Sequence, residues 1–241
     1  MKIKKIILLF WLVIFSVPLN ANEPVKSLAF KAVHISQAQI QNICQQLNPA
    51  CKSEEVIVWS VQMGTNKYYY LIDQKLRIAQ LSKKQGEYRI DDHWNLAKYQ
   101  KAHAVEEDEI ATEFIHPALY PLNRNNYAVA LVSSFSASYS GGGRGEQTAQ
   151  FIQLLPQGKT YQVLKDIPFY YYERIKACFS EQDYKKYTHC HDEQSILLSI
   201  TYEDIGKPFY QWNLIYSEID WPAHTNRKRV QKRTVNVIPS P

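Results

Sequence analysis

Four of the chain's eight glycines fall within residues 141–145, beside side chains suited to binding. Glycine allows left-handed backbone conformations and the close approach of a second chain. Strands are predicted on both sides, and connections of this kind often carry binding residues. The pattern predicts a mobile hairpin loop that contacts a protein partner, although a flexible loop without a partner stays an alternative. The predicted partner-binding residues are Tyr139, Gly141, Gly142, Gly143, Arg144, Gly145 and Glu146.

Other chemistries lack the sequence context that they require. A phosphate-binding loop needs a helix after its glycines and a Gly-Lys-Ser/Thr sequence, whereas a strand is predicted here. The serines within 133–140 have no Gly-x-Ser-x-Gly frame. Glu113 and His116 form a single Glu-x-x-His that Pro117 follows at once, and no His-Glu-x-x-His occurs. We therefore predict no catalytic residue and no cofactor, and we expect a protein that is not an enzyme.

Residues 189–193 read His-Cys-His-Asp-Glu, a group of residue types that bind metals. Successive side chains of a strand point to opposite faces, so His189 and His191 would share a face from which Cys190 points away. Zinc requires at least one further protein ligand, and no nearby residue has a matching spacing. We predict no metal site here and favour a disulfide flanked by exposed histidines. Metal binding by His189 and His191 stays an open alternative.

The four cysteines predict two disulfides between near neighbours in sequence. An even number of cysteines in an exported chain indicates disulfide pairing. The spacing favours Cys44–Cys51 and Cys178–Cys190, and a crossed pairing stays an alternative. Loop-closure entropy predicts about 2.5 and 3 kcal/mol of stabilisation for these two pairs.

The segment 1–21 has the pattern of a cleaved secretory signal. Three lysines precede the apolar run at 6–19, and the small residue Ala21 ends the segment. The run is shorter than the roughly 20 residues of a membrane-spanning helix, and no cysteine follows it to carry a lipid. We therefore predict a periplasmic or secreted protein.

The formal net charge of +5 resides at the two ends of the chain. The lysines of the signal segment carry +3 and five basic residues within 227–233 carry +5, which leaves −3 for residues 22–226. Because the body is not basic, nucleic-acid binding is not expected. Residues 226–241 are predicted to form a solvated basic tail. Weak contact of this tail with an anionic envelope surface is the alternative.

Hydrophobic periodicity predicts a helix followed by two hairpins in the first part of the chain. Ser36 is suited to cap a helix whose apolar residues recur as far as Leu47. Runs rich in β-branched and aromatic residues follow, with turns at 64–66 and near Gly86. Asp92 is predicted to cap a short helix that extends to residue 99.

Residues 101–126 have the weakest periodicity, and we predict an irregular connection there. From 127 to 225 the alternation of apolar and polar residues predicts an antiparallel meander, with breaks that include 166–168. Two of its strands have one clear apolar face each, formed by Ile196, Leu198, Ile200 and Tyr202 and by Tyr210, Trp212, Leu214 and Tyr216.

Two tyrosine triplets, at 68–70 and 170–172, fall within predicted strands. In each triplet the middle ring must face away from the outer two. Packing on the sheets is the favoured interpretation, because tyrosine combines an apolar ring with a polar end. A recognition surface for sugar rings or for a protein partner is the alternative.

Together these patterns predict a mainly β protein with one or two short helices near the N-terminus. The strands are expected to form an antiparallel meander or sandwich-like arrangement that is stapled by disulfides. The expected segments are 1–21 (signal), 22–100 (helix and hairpins), 101–126 (irregular connection), 127–225 (meander, in one globular unit with 22–100) and 226–241 (basic tail).

For function, we predict an exported envelope protein that acts as a non-enzymatic binding module, of the inhibitor or immunity type, for a protein partner. One alternative is a periplasmic hydrolase of envelope glycan, in which Glu113, His116, His189 and His191 would meet only in the folded chain. A second alternative is a structural envelope component that is tethered by its basic tail.

Overall fold

The computed structural model describes residues 24–101 and 109–240, so the predicted signal segment at 1–21 lies outside the described residues. The described chain is mainly β, with two antiparallel sheets and two disulfides, which confirms the predicted fold class. Its strands are β1 (Leu28–Ala29), β2 (Lys31–Ala32), β3 (Val56–Met63), β4 (Asn66–Asp73), β5 (Arg77–Lys84), β6 (Glu87–Asn95), β7 (Glu109–Pro121), β8 (Tyr127–Tyr139), β9 (Gly142–Leu154), β10 (Thr160–Lys176), β11 (His191–Glu203), β12 (Gln211–Trp221) and β13 (Arg229–Val237).

The small sheet is a meander, and the large sheet is a meander from β7 to β13. The small sheet has the order β2-β3-β4-β5-β6, and the large sheet has the order β1-β7-β8-β9-β10-β11-β12-β13. The chain therefore starts in the large sheet, builds the small sheet, and then returns to complete the large one. All the pairings are antiparallel, as alternating apolar and polar residues predict.

The predicted first helix is confirmed as α1 (Gln37–Gln45), and a second helix, α2 (Glu181–Lys186), precedes β11. Ser36 caps α1 in a reciprocal box: its hydroxyl accepts the Gln39 amide, and the Gln39 side chain accepts the Ser36 amide. Ile43 and Cys44 are the buried residues of α1, and they pack with Leu71 and Leu81 of the small sheet.

The large sheet buries both of its faces around the first half of β8. Val129 and Leu131 point toward the small sheet and form the core between the two sheets. The alternate residues Ala128, Ala130 and Val132 point the other way, into a second core that contains Trp212. The two predicted apolar faces of β11 and β12 pack into that second core, which confirms both of them.

The short helix predicted from Asp92 is wrong, because β6 continues to Asn95 and only Ala97–Tyr99 form a helical turn. Trp94 pairs with Ile78 of β5, and its indole N–H donates to the carbonyl of Leu155. The Asp92 carboxylate does accept backbone N–H groups, among them those of Gln157 and Gly158 at 2.7 and 3.0 Å, in the turn between β9 and β10 of the large sheet. These bonds fasten the two sheets together.

The irregular connection predicted for 101–126 is also wrong over most of its length, because residues 109–121 form β7. This strand pairs with β8, with a register shift between His116 and Tyr120. Pro117 lies within the shift, where the missing N–H removes no ladder bond. Residues 118–121 are buried, so no alternation of polar residues marks this half of the strand.

The predicted break at 166–168 does not end a strand. β10 runs through it as one element of 17 residues, with register shifts after Gln162, Leu164 and Pro168. Asp166 has a φ of +53°, and this backbone conformation accommodates the register shift after Leu164.

The predicted solvated tail at 226–241 is corrected as well, because most of it forms the edge strand β13. This strand pairs with β12 from Trp212↔Val237 to Asp220↔Arg229. Arg233 lies 3.3 Å from the Glu218 carboxylate, and Arg229 lies 3.9 Å from that of Asp220. These ion pairs between β12 and β13 help to hold the segment in the sheet.

Both predicted disulfides are present, with Cα–Cα distances of 4.7 Å for Cys44–Cys51 and 5.1 Å for Cys178–Cys190. They are consistent with a location outside the cytoplasm. Within residues 24–101 and 109–240, we find no helix with the length and apolar character needed to cross a membrane.

Candidate binding face at the tip of the large sheet

The predicted mobile glycine loop is not a loop. β8 extends to Tyr139 and β9 begins at Gly142, so a two-residue turn at 140–141 connects them. Gly141 has a φ of +85°, which glycine adopts without strain. The Lys176 amide donates to the Gly141 carbonyl at 2.6 Å, so the turn is also fastened to the end of β10.

The remaining glycines of the segment belong to a central strand of the large sheet. β9 pairs with β8 on one side and with β10 on the other. A Cβ at Gly142 would lie 2.2 Å from the Arg174 carbonyl oxygen, a distance that real atoms do not reach. A Cβ at Gly145 would meet nothing closer than 3.6 Å. Gly142 is therefore required by close strand packing, whereas Gly145 is not.

The strand register brings the three side chains of the predicted site onto one face. Tyr139 lies opposite Gly142, while Arg144 and Glu146 lie opposite Ala137 and Phe135. On the other side of β9, Arg144 and Glu146 lie opposite Glu173 and Tyr171. Opposed residues of antiparallel strands project to the same face. We call this surface the tip face and define it as Phe135, Tyr139, Arg144, Glu146, Tyr171 and Glu173.

Gly143 and Gly145 belong to the opposite face of β9, because side chains alternate along a strand. The structure thus separates the predicted site residues. Tyr139, Arg144 and Glu146 share the tip face, Gly141 forms the turn, and Gly142 supplies the close backbone contact.

Glu173 organises the centre of the tip face. The Tyr171 hydroxyl donates to one carboxylate oxygen at 3.0 Å, and the Tyr139 hydroxyl donates to the other at 3.4 Å. Partial desolvation, and then the negative charge and hydrogen bond of Glu173, raise the pKa of both tyrosines. Both hydroxyls therefore remain protonated donors at neutral pH.

The cation and the second carboxylate of the tip face are open to solvent. The Arg144 guanidinium lies 5.4 Å from the centre of the Phe135 ring, within the range of a cation–π contact. Arg144 and Glu146 are exposed, and Tyr139 keeps 41% of its surface accessible. The Glu146 carboxylate makes no hydrogen bond or ion pair with any residue that the structure describes. The tip face thus offers an aromatic surface with one accessible cation and one accessible anion.

The histidines at 189 and 191 have separate surroundings. The His189 ring stacks on Trp221 with a centroid distance of 3.8 Å, whereas His191 lies 3.0 Å from the Arg174 guanidinium. Burial, followed by the charge of Arg174, lowers the pKa of His191. Within the described ranges, no three His, Cys, Asp or Glu side chains are grouped so as to hold a metal ion.

The groups of the hydrolase alternative do not meet at one cavity. Glu113 borders a cavity of about 620 Å³ between the sheets, where its carboxylate accepts the Ser133 hydroxyl at 2.8 Å. Among the residues that the structure describes, no histidine lines that cavity. His189 and His191 border another cavity, beside the Cys178–Cys190 disulfide, and His116 bonds instead to the Tyr120 hydroxyl.

Three members of the tip face, Phe135, Tyr171 and Glu173, were not among the residues predicted from the sequence. The tyrosine triplet at 170–172 did mark a strand there, but its alternation alone does not say which ring faces Glu146. The register shift after Pro168 decides that, and it is a property of the pairing between β9 and β10.

No family model, curated protein or solved structure was found to match this chain.

Proposed function

We propose that this protein is exported to the cell envelope and acts there as a non-enzymatic binding module that holds a protein partner through the tip face. One observation carries the proposal. The register of β8, β9 and β10 gathers Tyr139, Arg144 and Glu146 on one exposed face, together with aromatic rings that the core does not use.

The composition of the tip face supports a protein partner. Tyrosine and arginine are enriched among the residues that dominate protein interfaces. Glu173 already orients the hydroxyls of Tyr139 and Tyr171, so little side-chain entropy would be lost on binding. The face is built on paired strands and is therefore rigid. An inhibitor or immunity role fits this rigidity, because a stiff hairpin end can enter the cleft of an enzyme.

Partner capture from an envelope extract tests this proposal. The unchanged protein and the Tyr139→Ala/Arg144→Ala variant would be immobilised and exposed to the same extract. We expect the variant to lose about 90% or more of the captured partner, because a central tyrosine and arginine each contribute about 1–2 kcal/mol or more. Deletion of 141–145 is unsuitable, because it would remove part of a central strand.

Tyr161→Ala is the matched control, because Tyr161 is 45% exposed on β10 but lies outside the tip face. This variant should capture the partner as the unchanged protein does. Undiminished capture by the Tyr139→Ala/Arg144→Ala variant would reject the tip face as the binding surface.

A further inference from the structure

A cavity of about 550 Å³ opens between the two sheets, next to the bonds that fasten β6 to the large sheet. Its size falls within the range of small-ligand sites, roughly 300–1,000 Å³. Aromatic rings and uncharged polar side chains make up half of its lining residues, and most of the others are aliphatic. The residues that matter here are Tyr68, Tyr70, Trp94, Tyr127, Gln80 and Asn126, with Arg124 at the same cavity.

Three tyrosine hydroxyls lie near one another at this cavity. Burial, and then the proximity of Tyr68 and Tyr127, raises the pKa of Tyr70 to about 12. The Tyr70 ring is held by stacking on Phe30, with a centroid distance of 5.0 Å and an interplanar angle of 10°. None of the three hydroxyls hydrogen-bonds to another residue within 24–101 or 109–240. Each is therefore available to a ligand as donor and acceptor.

A structured turn holds the polar residues at the cavity. The Asn123 side-chain oxygen accepts the amides of Asn125 and Asn126 at 3.0 and 2.9 Å, and its nitrogen donates to the Pro208 carbonyl at 3.0 Å. Asn123 thereby fixes the backbone that carries Arg124 and Asn126. The side chains of Arg124, Asn126 and Gln80 make no hydrogen bond to another described residue.

The charges of the cavity favour a neutral or anionic ligand. Asp92 is one of the two charged side chains among the described residues that line the cavity, and its carboxylate already accepts the amides of Gln157 and Gly158. The Arg124 guanidinium is the other, and it can pair with a carboxylate through two parallel N–H groups. A bound acyl chain would leave the tyrosine hydroxyls and the amides without hydrogen-bond partners, and the cost of desolvating them would lower its affinity.

We propose that this cavity binds a saccharide unit that carries a carboxylate. The rings of Tyr68, Trp94 and Tyr127 offer apolar faces to the C–H groups of a sugar. The tyrosine hydroxyls and the amides of Gln80 and Asn126 match its vicinal hydroxyls, and Arg124 pairs with its carboxylate. This site is separate from the tip face and does not depend on the function proposed for it.

Saturation-transfer NMR with glucuronic acid, glucose and laurate tests the inference on the purified full chain. Glucuronic acid should bind, glucose should bind about tenfold or more weakly because it lacks the charged partner of Arg124, and laurate should not bind. Binding of laurate in preference to both sugars would overturn the proposal, as would binding of no probe at all.

Two variants locate the binding. Arg124→Gln should remove the preference for glucuronic acid over glucose, and Tyr127→Phe should weaken both by about 3–10-fold while keeping the ring. Tyr161→Phe is the matched control and should change neither affinity. Unaltered melting temperatures show that the variants are folded. Sugar binding that survives both cavity variants unchanged would place the sugar elsewhere and overturn the assignment.

Discussion

The two halves of strand β8 show how the large sheet changes along its length. From Ala128 to Val132 every residue is buried, because the small sheet covers one face and the strands β11 and β12 cover the other. From Ser134 to Tyr139 the same strand is partly or fully exposed. One continuous hydrogen-bonded ladder therefore joins a core region to a presenting surface. An exposed face of this kind obtains its rigidity from a core that lies elsewhere in the sheet.

Trp212 and Tyr139 provide the largest expected contrast between these regions. Trp212 is fully buried, contacts the rings of Phe151 and Tyr202 edge-on, and donates its indole N–H to the Pro121 carbonyl at 3.0 Å. We expect Trp212→Ala to lower the free energy of unfolding by about 3–5 kcal/mol. Tyr139→Ala should lower it by less than about 1 kcal/mol. Urea denaturation of both variants measures the difference, and similar losses would contradict the division into core and presenting halves.

Gly142 and Gly145 sharpen the comparison within the tip itself. Gly142→Ala places a methyl group against the Arg174 carbonyl, so we expect a loss of about 1–3 kcal/mol in the free energy of unfolding. Gly145→Ala makes only an ordinary contact, 3.6 Å from the Phe135 carbonyl oxygen, and it should be neutral or stabilise by up to about 1 kcal/mol, because alanine loses less backbone entropy. Thermal unfolding of the two variants measures the order. Equal destabilisation by the two substitutions would contradict the close packing of β9 and β10 at Gly142.

Alkaline titration compares the buried tyrosines with the exposed ones. Burial raises the pKa of Tyr70 to about 12, from an ordinary value of 10.0, and it also raises those of Tyr120 and Tyr202. Each of these tyrosines has a higher pKa in the folded than in the unfolded protein. The stabilisation that this difference contributes is therefore fully present below pH 10 and is lost as the pH rises through the folded-state pKa. We expect the free energy of unfolding to fall between pH 10 and pH 12.

The absorbance of tyrosinate measures this prediction, and exposed tyrosines should ionise before Tyr70. In the Tyr70→Phe variant, the loss of stability above pH 10 should be shallower, because one titrating group has been removed. A single titration of all the tyrosines at their ordinary pKa, with the protein still folded, would contradict the burial of these side chains.

Most elements could be predicted where a residue's environment depends on its near neighbours in sequence. Ser36 caps α1 through Gln39, three residues away, and the two disulfides close short loops. The apolar faces of β11 and β12 follow from period-two alternation, because each strand has one face in the core. β7 escaped prediction because its second half is buried throughout, and β13 did so because its basic residues resemble those of a solvated tail.

The candidate site divides in the same way. Residue types alone marked Tyr139, Arg144, Glu146 and the glycines as unusual, but they gave the wrong conformation, a mobile loop in place of a central strand. Glycine weakens an isolated strand. At position 142 it is nevertheless required, because the backbone of β10 lies within 2.2 Å of where a Cβ would be.

By itself, the sequence determined the mainly β class, the first helix and the residues that make the tip unusual, and it favoured the disulfide pairs that are present. Those properties arise from periodicity, capping and short loops, which are local. Only the tertiary structure decided that Tyr139, Arg144 and Glu146 share a face with Tyr171 and Glu173, and that Asp92 fastens one sheet to the other. Register, bulges and contacts between sheets join residues far apart in the chain, and no local pattern encodes them.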